Sequence, residues 1–231
     1  DIGSTSSKTV ILEDGKTIAA HVVIPLGTGT IGPQMALSEI FEQSGISKEQ
    51  ITYTVATGYG RLTCPEADAQ ISELSCHAKG IHFLLPQGDT IVDIGGQDAK
   101  ALSISPQGKL IAFQMNDKCA AGTGRFLDVM ARVLNVPIEQ LGPLSETSEH
   151  PAVISNTCTV FAESEVISQL SAKVSLADIA AVIHNSVAKR VSGMALRLGR
   201  PNCMAMSGGV ALNTGVVHAM EREMGCPILV Y

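Results

Sequence analysis

The chain contains 231 residues, a length that fits one large domain or two small domains with separate cores. Hydrophobic residues make up 45% and aromatic residues only 3%, so the core must consist mainly of Ala, Val, Ile, Leu and Met. The net charge of −6 without any basic block argues against nucleic acid as the main partner, and no apolar run is long enough to span a membrane.

The first predicted element is a strand–turn–hairpin unit that occurs twice. The segment DIGSTSSKTVILEDGKTIAA begins at Asp1, and DIGGQDAKALSISPQGKLIA begins at Asp93. Both open on Asp-Ile-Gly, carry a lysine at the same offset (Lys8 and Lys100), alternate apolar residues as a strand does, and turn through Gly-Lys into a second strand. This pattern predicts an internal duplication.

The segments that follow each copy predict helices and further strands. Pro33 and Gly45 frame a helix over 33–44, and Gly80 ends a second helix over 66–80. Together the elements predict an α/β architecture. The remaining ones are a strand over 51–58, helices over 120–135, 160–173 and 176–199, a strand with a Gly-Gly turn over 202–213, and a helix from about Thr214.

Glycine turns at the ends of strands are candidate phosphate-binding sites, because glycine allows a ligand to approach backbone N–H groups closely. GSTSSK offers hydroxyls and an ammonium group, and GGQD offers amides and a carboxylate. Asp1 and Asp93 precede these turns, where carboxylates can hold Mg²⁺ through water. The less polar SGGVALN suits a nucleoside, and AGTGR is a fourth glycine-rich element at a helix start. An ordinary tight turn is the alternative for any one of them.

The six cysteines are spread along the chain without a C-x-x-C motif, and no signal peptide opens it. We therefore expect a cytoplasmic protein with reduced thiols. The missing initial methionine and the apolar final run CPILVY suggest that both ends are trimmed. Cys119 and Cys158 each precede a predicted helix, whose N-terminal partial positive charge would stabilise a thiolate. From spacing alone, two such cysteines are more often structural.

The motifs DIGSTSSK, ATGYGR, CHAKG, DIGGQDAK, NDKCAAGTGRFLD, NTCTVFAESEVISQL and SGGVALN resemble the activator ATPases of 2-hydroxyacyl-CoA dehydratases. The same pattern is similar to the ATP-binding subunits of benzoyl-CoA reductase (BadF/BadG/BcrA/BcrD type), within the actin, heat-shock chaperone and sugar kinase superfamily. The resemblance spans nearly the whole chain. The duplication places a boundary near Pro86–Gly88. The resemblance implies two duplicated ribonuclease H-like lobes, 1–87 (completed by C-terminal residues) and 88–231, with the nucleotide in the cleft between them.

The resemblance also implies a function: an ATPase that couples hydrolysis to low-potential electron transfer. One electron would come from a ferredoxin or flavodoxin and pass to a dehydratase. The two cysteines of one chain cannot complete a 4Fe–4S cluster, but a twofold dimer supplies four thiolates. The resemblance implies this arrangement, with one cluster per homodimer held by Cys119 and Cys158 of each chain and exposed enough to be oxygen-sensitive.

The resemblance assigns the site residues as follows. Asp93 and Asp98 are expected near Mg²⁺ and the attacking water, and Asp1 is a further candidate near the metal. Arg125 has two equally good interpretations, a surface salt bridge or a nucleotide contact. The expected ATP or ADP contacts are Ser4, Thr5, Ser6, Ser7, Lys8, Gly96, Gln97, Gly122, Thr123, Gly124, Gly208, Gly209 and Val210.

Two other functions remain open at this point. A metabolite kinase of the same superfamily would phosphorylate an added small-molecule acceptor. An actin-like or chaperone-like ATPase scaffold would have no redox role and no need of Cys119 and Cys158. The remaining cysteines and the histidines are interpreted as ordinary core or surface residues.

Overall fold

The computed structural model describes residues 1–116, 118–150 and 159–230. The chain divides into two compact units, Asp1–His77 and Ala78–Tyr231. The lobe boundary predicted near Pro86–Gly88 stays a prediction.

An antiparallel hairpin and one helix form the base of the first unit. Its strands and first helix are β1 (Ser7–Glu13), β2 (Thr17–Ile24), α1 (Gly32–Ser44), β3 (Val55–Ala56) and β4 (Ala69–Gln70). β1 pairs with β2, and β3 pairs in parallel with β4. Of the strand predicted over 51–58, the structure has only the two residues of β3. Where α1 packs on the hairpin, a small core contains Val22, Ile24, Ala36 and Ile40.

The helix predicted over 33–44 is confirmed by α1. Pro33 lies in its first turn, where the missing N–H costs no intrahelical hydrogen bond. Gly45 follows the last turn with a φ of 68° and donates its N–H to Phe41 O. Local proline and glycine signals were sufficient to place both ends.

The helix predicted over 66–80 is wrong at both ends, because the structure has α2 at Glu73–Leu84, after strand β4. The Asp68 carboxylate accepts the Thr54 N–H at 2.7 Å, which holds this segment beside β3 instead of in a helix. Gly80 lies inside α2 with open space around it, so nothing forces the helix to stop there.

The second unit contains a five-stranded sheet and the remaining helices. Its strands are β5 (Thr90–Ile94), β6 (Ala99–Ile104), β7 (Leu110–Asn116), β8 (Met204–Ser207) and β9 (Ile228–Val230), and its further helices are α3 (Gly124–Leu134), α4 (Ile138–Glu146), α5 (Thr159–Ser171), α6 (Leu176–Leu196) and α7 (Thr214–Met224). The strand order is β7-β6-β5-β8-β9, with β5, β6 and β7 antiparallel and β8 and β9 parallel to β5. Aliphatic and methionine side chains dominate the main core, as the composition requires.

The helix predicted over 120–135 begins later, at Gly124. Residues before it form a turn in which the N–H and hydroxyl of Thr123 both donate to Ala120 O. The helices predicted over 160–173 and 176–199 are confirmed as α5 and α6, and the helix expected from Thr214 is confirmed as α7.

Sequence reasoning did not identify α4. Pro143 lies inside this helix, and from the sequence alone an interior proline predicts that a helix is interrupted. The helix nevertheless forms because it packs against α6 and α7, and Leu141 is completely buried. No helix in the described ranges combines the length and apolarity needed to cross a bilayer.

The predicted duplication is confirmed by the register of the two hairpins. Lys8 pairs with Val23, and Lys100 pairs with Met115, at the same offset from Asp-Ile-Gly. Each hairpin also has a register shift three residues after its lysine. The same backbone irregularity thus occurs at the same place in both copies.

A buried histidine lies in α6. Nδ1 of His184 is 2.8 Å from Ser145 Oγ, and Nε2 is 3.2 Å from Asn213 Nδ2. Because Asn213 Nδ2 is a donor and Ser145 Oγ donates to Gly142 O, the ring is neutral with its proton on Nδ1. Burial, helped by the Arg222 charge, lowers the pKa of His184 from 6.5 to about 4.

We expect stability to fall as the pH drops from 6.5 towards 4. The unfolded chain binds the proton of His184 more readily than the folded chain, so acid favours unfolding within this window and stability is complete above it. The shift corresponds to roughly 3 kcal/mol. Urea unfolding at several pH values measures it. A His184→Gln variant should show a flatter pH dependence, and an identical dependence in both proteins would contradict this explanation.

Candidate functional site

The turn between β5 and β6 is fastened to the start of α3 by backbone hydrogen bonds. Gly95 N–H donates to Asp98 O across the turn, at 2.9 Å. Gly124 N–H donates to Gly95 O and Arg125 N–H donates to Gly96 O, both at 2.9 Å. The N–H groups of Gly124 and Arg125 are therefore already used, and these bonds fix the shape of the turn.

A charged cluster lies beside this turn. Lys100 Nζ is 2.6 Å from Asp98 Oδ2 and 3.7 Å from Asp93 Oδ2. The side chains of Lys100 and Asp93 are only 11% and 14% exposed, and that of Asp98 is 32% exposed. Ser207 Oγ donates to Asp93 Oδ1 at 3.2 Å. Lys100 therefore places one positive charge within ion-pair distance of both carboxylates, in a part of the structure with little access to solvent.

The turn after β8 approaches the end of β5 so closely that only glycine fits. Gly208 has a φ of 83°, and a Cβ built on it would lie 2.4 Å from Ile94 O and 2.8 Å from Asp93 Oδ1. β8 pairs with β5 so that Ser207 is opposite Asp93. Val210, after the turn, is near Gly124 of the AGTGR element. The three turns predicted from this part of the sequence thus meet at the end of β5, close to Asp93.

We expect Gly208→Ala to destabilise the second unit, because the new Cβ would strain the backbone and collide with Ile94 O. The expected loss is about 2–4 kcal/mol. Gly209→Ala is the matched control, since a Cβ there meets nothing within 4 Å. Chemical denaturation of both variants measures the difference, and equal stability of the two would contradict the close-approach argument.

The predicted contact residues of the second unit fall into two groups. Thr123 and Val210 are buried, and the Thr123 hydroxyl donates to Ala120 O. Their side chains therefore support the turns through packing and hydrogen bonding instead of direct contact with a ligand. Gly122 has a φ of 85° and lies against Arg190. The exposed members, which are open to a ligand, are Gly96, Gln97, Gly208 and Gly209.

The equivalent turn of the first unit has a simpler charge pattern. Lys8 Nζ is 3.0 Å from Asp1 Oδ2, and both side chains are more exposed than their counterparts in the second unit. Ser7 is buried and donates its hydroxyl to Leu26 O at 2.8 Å, so it stabilises the loop. The remaining hydroxyl residues of this turn are Ser4 and Thr5, which are exposed, and Ser6, which is half-buried.

The structure adds a residue that sequence reasoning left without a role, Gly58 of ATGYGR. Its φ is 91°, and a Cβ on it would lie 2.2 Å from Asp1 Oδ1 and 2.6 Å from Ile2 O. Ile2 N–H donates to Thr57 O at 2.8 Å. Gly58 therefore has the same position in the first unit as Gly208 in the second. A glycine following a short apolar strand was the available signal in the sequence, but the need for glycine becomes apparent only from the backbone contacts with Ile2.

Cys119 is a half-buried free thiol in the loop before α3. Asn116 Nδ2 holds this loop by donating to Cys119 O at 2.9 Å and to Ala121 O at 3.1 Å. The sequence predicted a helix directly after Cys119, over 120–135. Because α3 begins only at Gly124, a turn separates Cys119 from the helix N-terminus. Cys158 lies outside the described residues. Among the residues the structure does describe, no group of three His, Cys, Asp and Glu side chains could hold a metal ion.

Comparison with known proteins identifies related sequences and structures. A model of the BadF/BadG/BcrA/BcrD ATPase family matches residues 1–230. The activator of lactoyl-CoA dehydratase from Anaerotignum propionicum is 56% identical over 230 residues, which cover 100% of this chain and 89% of that protein.

Solved structures agree with this relationship. The activator of the 2-hydroxyisocaproyl-CoA dehydratase from Clostridium difficile, with bound ADPNP, has 53% identity and a TM-score of 0.90, covering 100% of this chain and 86% of that one. Component A of (R)-2-hydroxyglutaryl-CoA dehydratase from Acidaminococcus fermentans has 52% identity and a TM-score of 0.93, covering 100% and 89%. A ROK family glucokinase from Streptomyces griseus, at 15% identity and a TM-score of 0.56 over 99% and 92%, shares the fold alone. The predicted actin-like, sugar-kinase-like α/β fold is thereby confirmed.

Proposed function

Since the chain belongs to the BadF/BadG/BcrA/BcrD ATPase family, we propose that it is an ATP-dependent activator that donates one electron to a 2-hydroxyacyl-CoA dehydratase or a related enzyme. Relatives more than half identical along the whole chain bear the name of such activators, and one of them was solved with ADPNP. The observation that carries the proposal is that the three glycine-rich turns of the second unit meet at the end of β5, beside Asp93 and Lys100, whose side chains are only 14% and 11% exposed.

We assign the phosphates and Mg²⁺ to the residues around these turns. Asp93 and Asp98 are charged, partly accessible carboxylates, which is the donor type that Mg²⁺ binds. They fit a hydrated cation and can orient the attacking water. The exposed backbone of Gly96 and Gln97 is available to phosphate oxygens, and the exposed turn at Gly208 to the nucleoside.

We assign an equivalent phosphate-binding role to the first turn. Lys8 supplies a positive charge, and the exposed hydroxyls of Ser4 and Thr5 can donate to phosphate oxygens. Asp1 is a further candidate for the water shell of the cation. The buried Ser7 contributes by holding the loop and not by direct contact.

We further propose that Cys119 and Cys158 of two chains hold one 4Fe–4S cluster. Cys119 fits this role because its thiol is free, half-buried and carried by a loop that Asn116 holds in place. When bound, the cluster would supply one-electron redox chemistry at low potential. A ferredoxin or flavodoxin is the proposed donor, and the cytoplasm is the proposed location.

Activation of a dehydratase tests this function. Oxygen-free protein is mixed with a 2-hydroxyacyl-CoA dehydratase, its acyl-CoA substrate, a strong one-electron reductant and either Mg·ATP or ADPNP. Dehydration is expected only with ATP. Dehydration of equal rate with ADPNP or without nucleotide would contradict the proposal. Phosphorylation of glucose or another added acceptor, without any activation, would instead indicate a metabolite kinase.

A further inference from the structure

The ammonium group of Lys100 occupies the space beside both carboxylates of the charged cluster. It lies 2.6 Å from one carboxylate oxygen and 3.7 Å from the other, with only 11% of its side chain exposed. A cation is therefore already present, as part of the chain, where a hydrated divalent cation would bind. Bringing a second, free cation there would place like charges together in a poorly solvated space.

We propose that Lys100 is an internal counter-ion that keeps free divalent cations out of the site and makes cation binding depend on the nucleotide. This inference rests on the proposed nucleotide and Mg²⁺ site. Phosphate oxygens would give the displaced ammonium a new anionic partner, which a free cation does not provide. Lys100 thus determines the order of binding: the cation enters together with the nucleotide.

The two copies of the duplicated unit differ in a way that isolates this role. Asp98 of the second copy corresponds to Ser6 of the first, so the first turn, GSTSS, contains no acidic residue, and Asp1 precedes it as Asp93 precedes the second turn. The Lys8 and Asp1 side chains are also 42% and 35% exposed, where solvent screens the charges. Only the second copy should therefore become a site for free divalent cations when its lysine is neutralised.

The test measures Mn²⁺ binding by electron paramagnetic resonance in nucleotide-free protein. Lys100→Gln is expected to bind free Mn²⁺ at least about tenfold more tightly than the natural protein. Lys8→Gln, the matched control, should bind it no more tightly than the natural protein. Adding Asp98→Asn to Lys100→Gln should remove the gain. Lys100→Met, which keeps an apolar stem of similar length, repeats the measurement if the glutamine variant does not fold.

Equal affinity for free Mn²⁺ in the natural protein and both Lys100 variants would overturn the inference. Binding of Mn²⁺ together with ADPNP separates this failure from failure of the proposed function. If the natural protein binds the Mn²⁺–ADPNP complex while the Lys100 variants gain nothing, only the counter-ion role is wrong. If the natural protein does not bind that complex at all, the nucleotide site itself is wrong and the inference falls with it.

Discussion

Asp93→Asn is expected to reduce ATP hydrolysis by about 10²–10³-fold, the size of effect seen when one preorganised electrostatic group is removed from an active site. Asp93 is held by Ser207 on one side and lies near Lys100 on the other, with 14% of its side chain exposed. Asparagine keeps the shape but removes the charge that the cation requires. It also leaves Lys100 with less negative charge around it. Phosphate release measured at saturating Mg·ATP gives the effect on turnover.

The control for this variant is Asp128→Asn, on the exposed surface of α3. It removes the same charge from the second unit without touching the cluster, so hydrolysis should be unchanged. If Asp93→Asn hydrolyses ATP as fast as the Asp128 variant, the metal-side role of Asp93 is wrong.

Replacing Cys119 or Cys158 by serine is expected to abolish iron binding altogether, because each chain would then offer one thiolate to a site that needs two from it. If the proposed cluster bridges two chains, the variants should also become monomeric. Iron and acid-labile sulfide analysis of oxygen-free protein, together with light scattering, measures both effects.

Cys226→Ser provides the comparison for the cysteine variants. Burial raises the pKa of the Cys226 thiol, so less of its thiolate forms at neutral pH. This variant should keep its iron and its dimeric state. Iron retention in the Cys119 and Cys158 variants, or iron loss in the Cys226 variant, would contradict the assigned ligands.

The duplicated hairpin could be predicted from the sequence because its signals are local and repeated. Asp-Ile-Gly, the lysine at a fixed offset and the Gly-Lys turn occur in both copies, and the structure gives both hairpins the same register. The 33–44 helix was likewise marked at both ends. The prediction of a helix over 66–80 was wrong because the hydrogen bond from Thr54 to Asp68 joins residues from two different segments, which a local pattern does not reveal.

The candidate site was predictable only in part, for the same reason. The glycine turns could be recognised one by one, but their approach to Asp93 depends on the pairing of β5 with β8. Ser207 acquires its role from that pairing, and Gly58 from the contact with Ile2. Lys100 could be recognised in the sequence because it occurs at the same offset as Lys8, but its burial beside two carboxylates follows only from the fold. Cys158 lies outside the described residues, so its role as a cluster ligand stays a prediction.

The most direct test follows the reduced protein as it meets its partner. Oxygen-free protein is reduced by one electron and mixed with a dehydratase, with and without Mg·ATP, and its electron paramagnetic resonance signal is recorded. The signal should be present at the start and disappear only when dehydratase and Mg·ATP are both added. No signal after reduction, or a signal lost at the same rate without nucleotide, would contradict an ATP-driven electron donor.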